Sequence, residues 1–160
     1  MAPHTLLTTL RNIYIKIETS VLIILLNALV GLVFMEVIVR FFDNPTTWSV
    51  GIAQLIFMWV IFLGANRALR NHSHIGIDVF TNLLPSTWQK YVQLAVHLVM
   101  LVFLAILIVY GFEMTFANTG RLITGTSLGY FTVTLAIPVG AILMLGTAIS
   151  QMGLLIKNLK

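Results

Sequence analysis

The chain has 160 residues, of which 59% are hydrophobic and 9% charged, with a formal net charge of +4. A soluble domain carries about 25% charged residues, and a mean hydropathy of +1.00 points the same way, so an ordinary soluble enzyme or nucleic-acid-binding domain is excluded. The absence of cysteine removes disulfides, thiolate metal sites and thiol redox chemistry.

The apolar residues are gathered into four runs, each near the length of about 20 residues that crosses a bilayer core. Inside lipid every backbone N–H and C=O needs an internal partner, so such runs must be helices. The short alternating segments of a membrane β-barrel are absent. The links between the runs are too short to bury a second core. The sequence therefore predicts an all-α integral membrane protein, with residues 1–160 forming a single membrane domain.

The first element is residues 5–18, where Leu6, Leu10, Ile13 and Ile17 recur on one helical face while Arg11, Lys16 and Glu18 lie off it. This reads as an amphipathic helix in the interface, leading into the first span. A cleaved signal peptide does not fit, because the following apolar run is too long and no small-residue site closes it. The first span is expected at about 21–42 and ends at the turn Asp43-Asn44-Pro45. The second runs over about 49–69. A polar stretch, RNHSHIGID, and a short amphipathic piece, IDVFTNLL, follow. Pro85 suits the first turn of the next helix, which becomes the third span at about 92–117. The Gly/Thr-rich segment NTGRLITGTSLG reads as a loop before the fourth span at about 130–156, which contains Pro138.

Orientation follows from Lys and Arg. With the N-terminus inside, the cytoplasmic segments hold Arg11, Lys16, Arg67, Arg70, Lys90, Lys157 and Lys160, against Arg40 and Arg121 outside. That bias predicts an N-in, C-in topology. Trp48 and Tyr130 then fall at the outer interface, and Trp88 and Tyr91 at the inner one. No internal repeat of the kind that marks many complete secondary transporters is visible.

Few residues offer chemistry. Glu36 and Arg40 stand four apart, acid first, the favourable order for a helical ion pair. An intramembrane pair of this kind is a functional-site candidate by default, although mutual neutralisation, with Arg40 reaching toward the headgroups, accounts for it as well. Glu113 near the outer end of span three reaches interfacial water, or else meets a cation or a partner subunit. His97 lies inside a span without a second buried histidine to complete a haem site, and reads as structural. His72 and His74 make too small a set for a metal, with Asp78 the only nearby acid. No Ser-His-Asp order, HExxH or GxxxxGK[ST] occurs, so no enzyme, metal site or cofactor is expected.

Two faces carry more information. On span two, Trp48, Leu55, Trp59, Phe62 and Asn66 share one side, and Ala53, Gly64 and Ala68 the other. On span four, Ala136, Gly140, Thr147 and Ser150 line one face with Gln151 at its edge, which reads as packing with small and polar residues.

One stretch is more specific. FMWVIFLGANRALRNHSHIGIDVFTNLLP, residues 57–85, joins an aromatic span ending W-x-x-F-L-G-A to basic residues, H-x-x-[VI]-D and an amphipathic segment before a proline. This resembles the small membrane (Q, or DctQ-type) subunit of tripartite ATP-independent periplasmic (TRAP) transporters. The V-I-V-R-F that ends span one and the A-I-P-x-G of the last span are similar to the family's motifs. The chain departs from it after Trp48, where Ser49, Val50 and Gly51 replace an often acidic pair, and it lacks a proline often found after the closing Leu-Gly.

The resemblance implies a sodium-coupled transporter for organic acids such as sialic acid or dicarboxylates, in the bacterial inner membrane. Its partners would be a large elevator-type M subunit, to which this chain adds static scaffold, a periplasmic substrate-binding protein, and membrane lipids. On this reading Trp48, Trp59, Phe62 and Asn66 form the large-subunit interface, and Asp43 and Arg121 meet the binding protein. Two other functions compete: a stand-alone four-helix cation or proton antiporter using Glu36, and a cytochrome b-type membrane anchor using His97.

Overall fold

The computed structural model describes the backbone of residues 3–71 and 86–159, and the side chains of Thr9 and of residues 12–71 and 91–153. The H-x-H motif, the IDVFTNLL segment and Pro85 lie outside the described residues, as do the side chains of Trp88 and Lys90.

Helix α1 runs from Pro3 to Phe41, α2 from Thr47 to Asn71 and α3 from Ser86 to Ala117. A single turn, α4 (Phe131–Thr134), precedes α5 (Ala136–Leu159). Four helices among the described residues are long and apolar enough to cross a membrane: Asn12–Phe41, Thr47–Asn71, Tyr91–Ala117 and Phe131–Gly153. The segment 5–18, expected as an amphipathic interfacial helix leading into the first span, is continuous with it. No proline interrupts it after Pro3. At 39 residues α1 is roughly 58 Å long, nearly twice the hydrocarbon thickness of about 30 Å. Its first turns therefore extend beyond the core.

Helix α1 closes on Asp43, whose φ of 55° is left-handed. Asn44 N–H reaches Val39 O at 3.1 Å and Asp43 N–H reaches Arg40 O at 3.2 Å, a Schellman-type end that satisfies the last carbonyls. The fourth span begins differently. Pro138 lacks an N–H and cannot return a bond to Thr134, and the helical pattern is interrupted at Leu135 before α5 continues.

The helices form an open row. Among the described residues α1 packs on α2, α2 on α5, and α5 on α3, while α1 touches neither α3 nor α5. The row therefore reads α1-α2-α5-α3, with α1 and α3 at its edges. Over their most apolar windows the last span is the most buried, at 39%, and the first the least, at 6%. The core sits between α3 and α5, where Leu104, Ala141 and Ala148 are buried against Met100, Leu107, Ile108 and Met144.

Backbones approach closely where side chains are small. A Cβ on Gly140 of α5 would stand 2.4 Å from the Phe62 Cβ of α2. At the other crossing Gly64 of α2 admits Leu22 of α1. Residues 121–130 fold into a tight loop with one antiparallel bridge, Leu122 to Gly129. Gly125 has φ of 74°, and a Cβ there would meet the Thr47 carbonyl at 2.6 Å. The loop thus lies on the start of α2, with Ile123 buried beneath it.

The contact at Gly140 sets an expectation. Gly140→Ala should lower stability by about 1–3 kcal/mol through overpacking, read as a reduced midpoint of thermal unfolding in detergent. Gly146→Ala on the same helix, where nothing lies within 4 Å, should be neutral or mildly stabilising.

Candidate functional site

Lipid tails are as apolar as leucine, so polar contacts and close fit must hold these helices together. Two buried polar clusters do this, one toward each end of the helices.

The first lies at the end rich in Lys and Arg, here the basic end. Glu18 on α1 is buried and pairs with Arg70 of α2 at 2.6 Å. Asn66, one turn before Arg70, is fully buried and donates to the other Glu18 oxygen at 2.5 Å. Asn66 also accepts from the Thr147 hydroxyl of α5 at 2.8 Å. Arg70 lies 5.1 Å over the Tyr14 ring, a cation–π contact. Arg67 donates to Thr19 Oγ1, and Gln151 of α5 donates to the Leu69 carbonyl at 2.8 Å. Tyr14 and Glu18 on α1 and Asn66 and Arg70 on α2 are each four apart, so both pairs align on facing helix sides.

The second cluster lies at the opposite, loop end. Glu36 is buried beside Arg40 at 3.3 Å, as the acid-first spacing predicts. Its other oxygen accepts from the Thr46 and Ser49 hydroxyls, each at 2.5 Å. Thr46 immediately precedes α2 and Ser49 is in its first turn, so this cluster pins the end of α1 to the start of α2. Beside it, Gln54 donates to the Tyr130 hydroxyl at 2.9 Å, and Arg121 stacks 4.3 Å over the Tyr130 ring.

Of the four residues expected at a partner interface, three make contacts within the chain. Asn66 has no exposed surface. Trp59 donates its indole N–H to the Thr132 carbonyl at 3.2 Å, and Phe62 presses on Gly140. These three face the chain's own last span, so the aromatic side of span two and the small-residue side of span four meet each other. Trp48 alone remains substantially exposed, at 43%. Asp43 and Arg121 both lie exposed at the loop end. His97 is buried on α3, and its Nδ1 donates to the Gln93 carbonyl at 2.9 Å within the same helix. Glu113 is exposed on α3.

Glu18 and Arg70 carry the strongest polar contact, and the sequence reading placed neither in a site. Glu18 fell to the interfacial helix and Arg70 to the positive-inside count. The usable signal was the four-residue spacing of Asn66 and Arg70, matched by that of Tyr14 and Glu18. Among the described residues no group of three or more His, Cys, Asp or Glu is placed to hold a metal. Each buried carboxylate is instead held by donors from a second helix, an arrangement suited to fastening helices.

Over residues 29–158 the sequence matches the family described as the DctQ component of tripartite ATP-independent periplasmic transporters. Among curated proteins it is similar to the sialic acid TRAP transporter small permease protein SiaQ of Vibrio cholerae, 26% identical over 154 residues, which is 96% of this chain and 89% of that protein. Similarity to the C4-dicarboxylate TRAP transporter small permease protein DctQ of the same organism is 29% over 95 residues, 59% of this chain and 41% of that protein. The sialic acid TRAP transporter permease protein SiaT of Haemophilus influenzae is 33% identical over 85 residues, 52% of this chain but only 14% of that protein.

The basic-end cluster yields a direct test. Glu18→Gln strands the Arg70 guanidinium and should cost on the order of 3 kcal/mol. The double change with Arg70→Met should recover part of that loss, measured as a double-mutant cycle on detergent unfolding. Additive losses would show that the two side chains do not interact.

Proposed function

The chain belongs to the DctQ component family of tripartite ATP-independent periplasmic transporters, and on that premise we propose that it fastens to a large membrane subunit as static scaffold in a sodium-coupled carrier of organic acids. It is a multi-pass membrane protein and a small permease subunit of this transporter class. The open row carries the scaffold reading. Its buried carboxylates are engaged in holding helices, and its edge helices leave wide apolar surfaces for a partner.

The similarity to SiaT supports a large partner, because this chain aligns with only 14% of that permease. The names of the small-subunit relatives support a carboxylate cargo, sialic acid or a C4-dicarboxylate. In this reading the chain sits in the bacterial inner membrane with both termini cytoplasmic. The loop end then faces the periplasm, where Asp43 and Arg121 meet the substrate-binding protein.

The surface proposed for the large subunit is the outward stripe of α3. Val99, Phe103, Ile106, Tyr110, Glu113 and Phe116 recur at helical spacing and are all exposed. A carboxylate on a lipid-facing stripe is costly unless a protein covers it, and Glu113 is the polar anchor of this one.

A tag on this chain should recover a much larger membrane protein from native membranes. Removing the chain should abolish sodium-dependent, binding-protein-dependent carboxylate uptake. Ion exchange by the isolated chain in liposomes would overturn the scaffold reading. Glu113→Lys should reduce the recovered partner several-fold while the chain still inserts, and unchanged recovery would move the contact off α3. A cysteine at position 121 should react with a membrane-impermeant reagent from the periplasm, and one at position 71 only after the membrane is opened.

A further inference from the structure

Between the loop-end halves of α1 and α2 lies a groove of about 280 Å³, lined by Leu32, Val33, Val37, Val50 and Ala53, with Glu36, Arg40 and Ser49 toward one end. From the groove and its charged end we infer a binding site for one phospholipid, its acyl chain along the groove and its phosphodiester on Arg40.

The shape selects a single chain. From Leu32 to Arg40 is eight residues of helix, about 12 Å. A helix with side chains is about 10–12 Å across, far more than a groove of about 280 Å³ along that length can hold, whereas an extended acyl chain is thin enough to enter it. Val33, Val37 and Val50 are 48%, 60% and 56% exposed, so it opens laterally along its length.

The charge selects the headgroup. Glu36 turns inward, with one oxygen on Arg40 and the other on the Thr46 and Ser49 hydroxyls. Arg40 places a single nitrogen on Glu36, and its side chain is 66% exposed. A guanidinium presents five N–H donors in a fork that fits phosphate oxygens. Arg40 stands one residue from the end of the first membrane-length apolar helix, where the chain leaves its apolar run. This geometry holds whichever leaflet the loop end occupies. Because lipid tails gain little from one apolar surface over another, retention of one lipid must come from the Arg40–phosphate contact together with the fit of the groove.

The test is made on the complex captured through a tag on this chain, stripped of lipid by detergent washing. Native mass spectrometry then follows the titration of phosphatidylglycerol, with diacylglycerol of the same tails as the phosphate-free probe. Arg40→Gln should weaken phosphatidylglycerol binding about tenfold and leave diacylglycerol unchanged, while Arg40→Lys should keep most of the binding. Val50→Trp, which fills the groove without touching the ion pair, should reduce retention of both probes. Phosphatidylglycerol binding unchanged in both Arg40→Gln and Val50→Trp would overturn the site. Release of the large subunit by Val50→Trp with lipid binding intact would also overturn it, assigning the groove to a protein side chain and leaving the small-subunit reading standing.

Discussion

Asn66 ties three consecutive helices of the row through one side chain. It donates to Glu18 on α1, accepts from Thr147 on α5, and belongs to α2 itself. In water such a node would be one contribution among many, because burying apolar area would dominate association. In a bilayer that driving force between helices is absent, and a satisfied amide between three helices becomes a principal fastening. Arg70 extends the node by closing the Glu18 carboxylate, and Gln151 adds a bond from α5 to the α2 backbone. The close approach of α2 and α5 at Phe62 and Gly140 follows the same line, so polar anchor and tight fit lie along one seam.

The two clusters divide the work along α1. Among the described residues this edge helix touches only α2, and it is pinned near both ends of its membrane segment, by Glu18 at the basic end and by Glu36 at the loop end. Between the pins lie Leu22 against Gly64 and the groove beside Val33 and Val37. A helix held at two points more than 25 Å apart, by 1.5 Å rise per residue over Glu18 to Glu36, cannot rock independently of its neighbour without breaking one of them. The other edge is attached differently. α3 meets α5 through Leu104, Ala141 and Ala148, an apolar fit, and the hydrogen bonds of Thr115 and of His97 Nδ1 return to its own backbone.

The fold class was legible because hydrophobic length is a local property. Four runs near bilayer thickness require four helices, and four helices long and apolar enough to cross a membrane are found among the described residues. The Glu36–Arg40 pair was legible for the same reason, since i,i+4 spacing on one helix needs no knowledge of neighbours. What composition cannot give is which helix faces which. Trp59, Phe62 and Asn66 read as a surface for a partner or for lipid, and contact with the chain's own last span was not visible without knowing where α5 lay. The order α1-α2-α5-α3 places α5 beside α2, so these residues make contacts within the chain. Glu18 was missed because a charge outside the most apolar window looks like interfacial decoration until its partner, 52 residues away in sequence, is seen beside it. The break at Leu135 was half visible, in Pro138.

The satisfaction of the buried carboxylates bears on the division of labour in such a transporter. A group that carries a coupling ion must exchange partners on every cycle, which requires a geometry with vacant coordination or with donors free to leave. Glu36 is held by one guanidinium and two hydroxyls, and Glu18 by a guanidinium and an amide. Releasing either would strand a charge at membrane depth and unpin α1 in the same step. Evolutionary freedom to rebuild these sites as ion carriers is therefore limited by the architecture they secure. That conflict is the physical reason the proposal assigns coupling and cargo to the larger partner, and gives this chain the part that does not move.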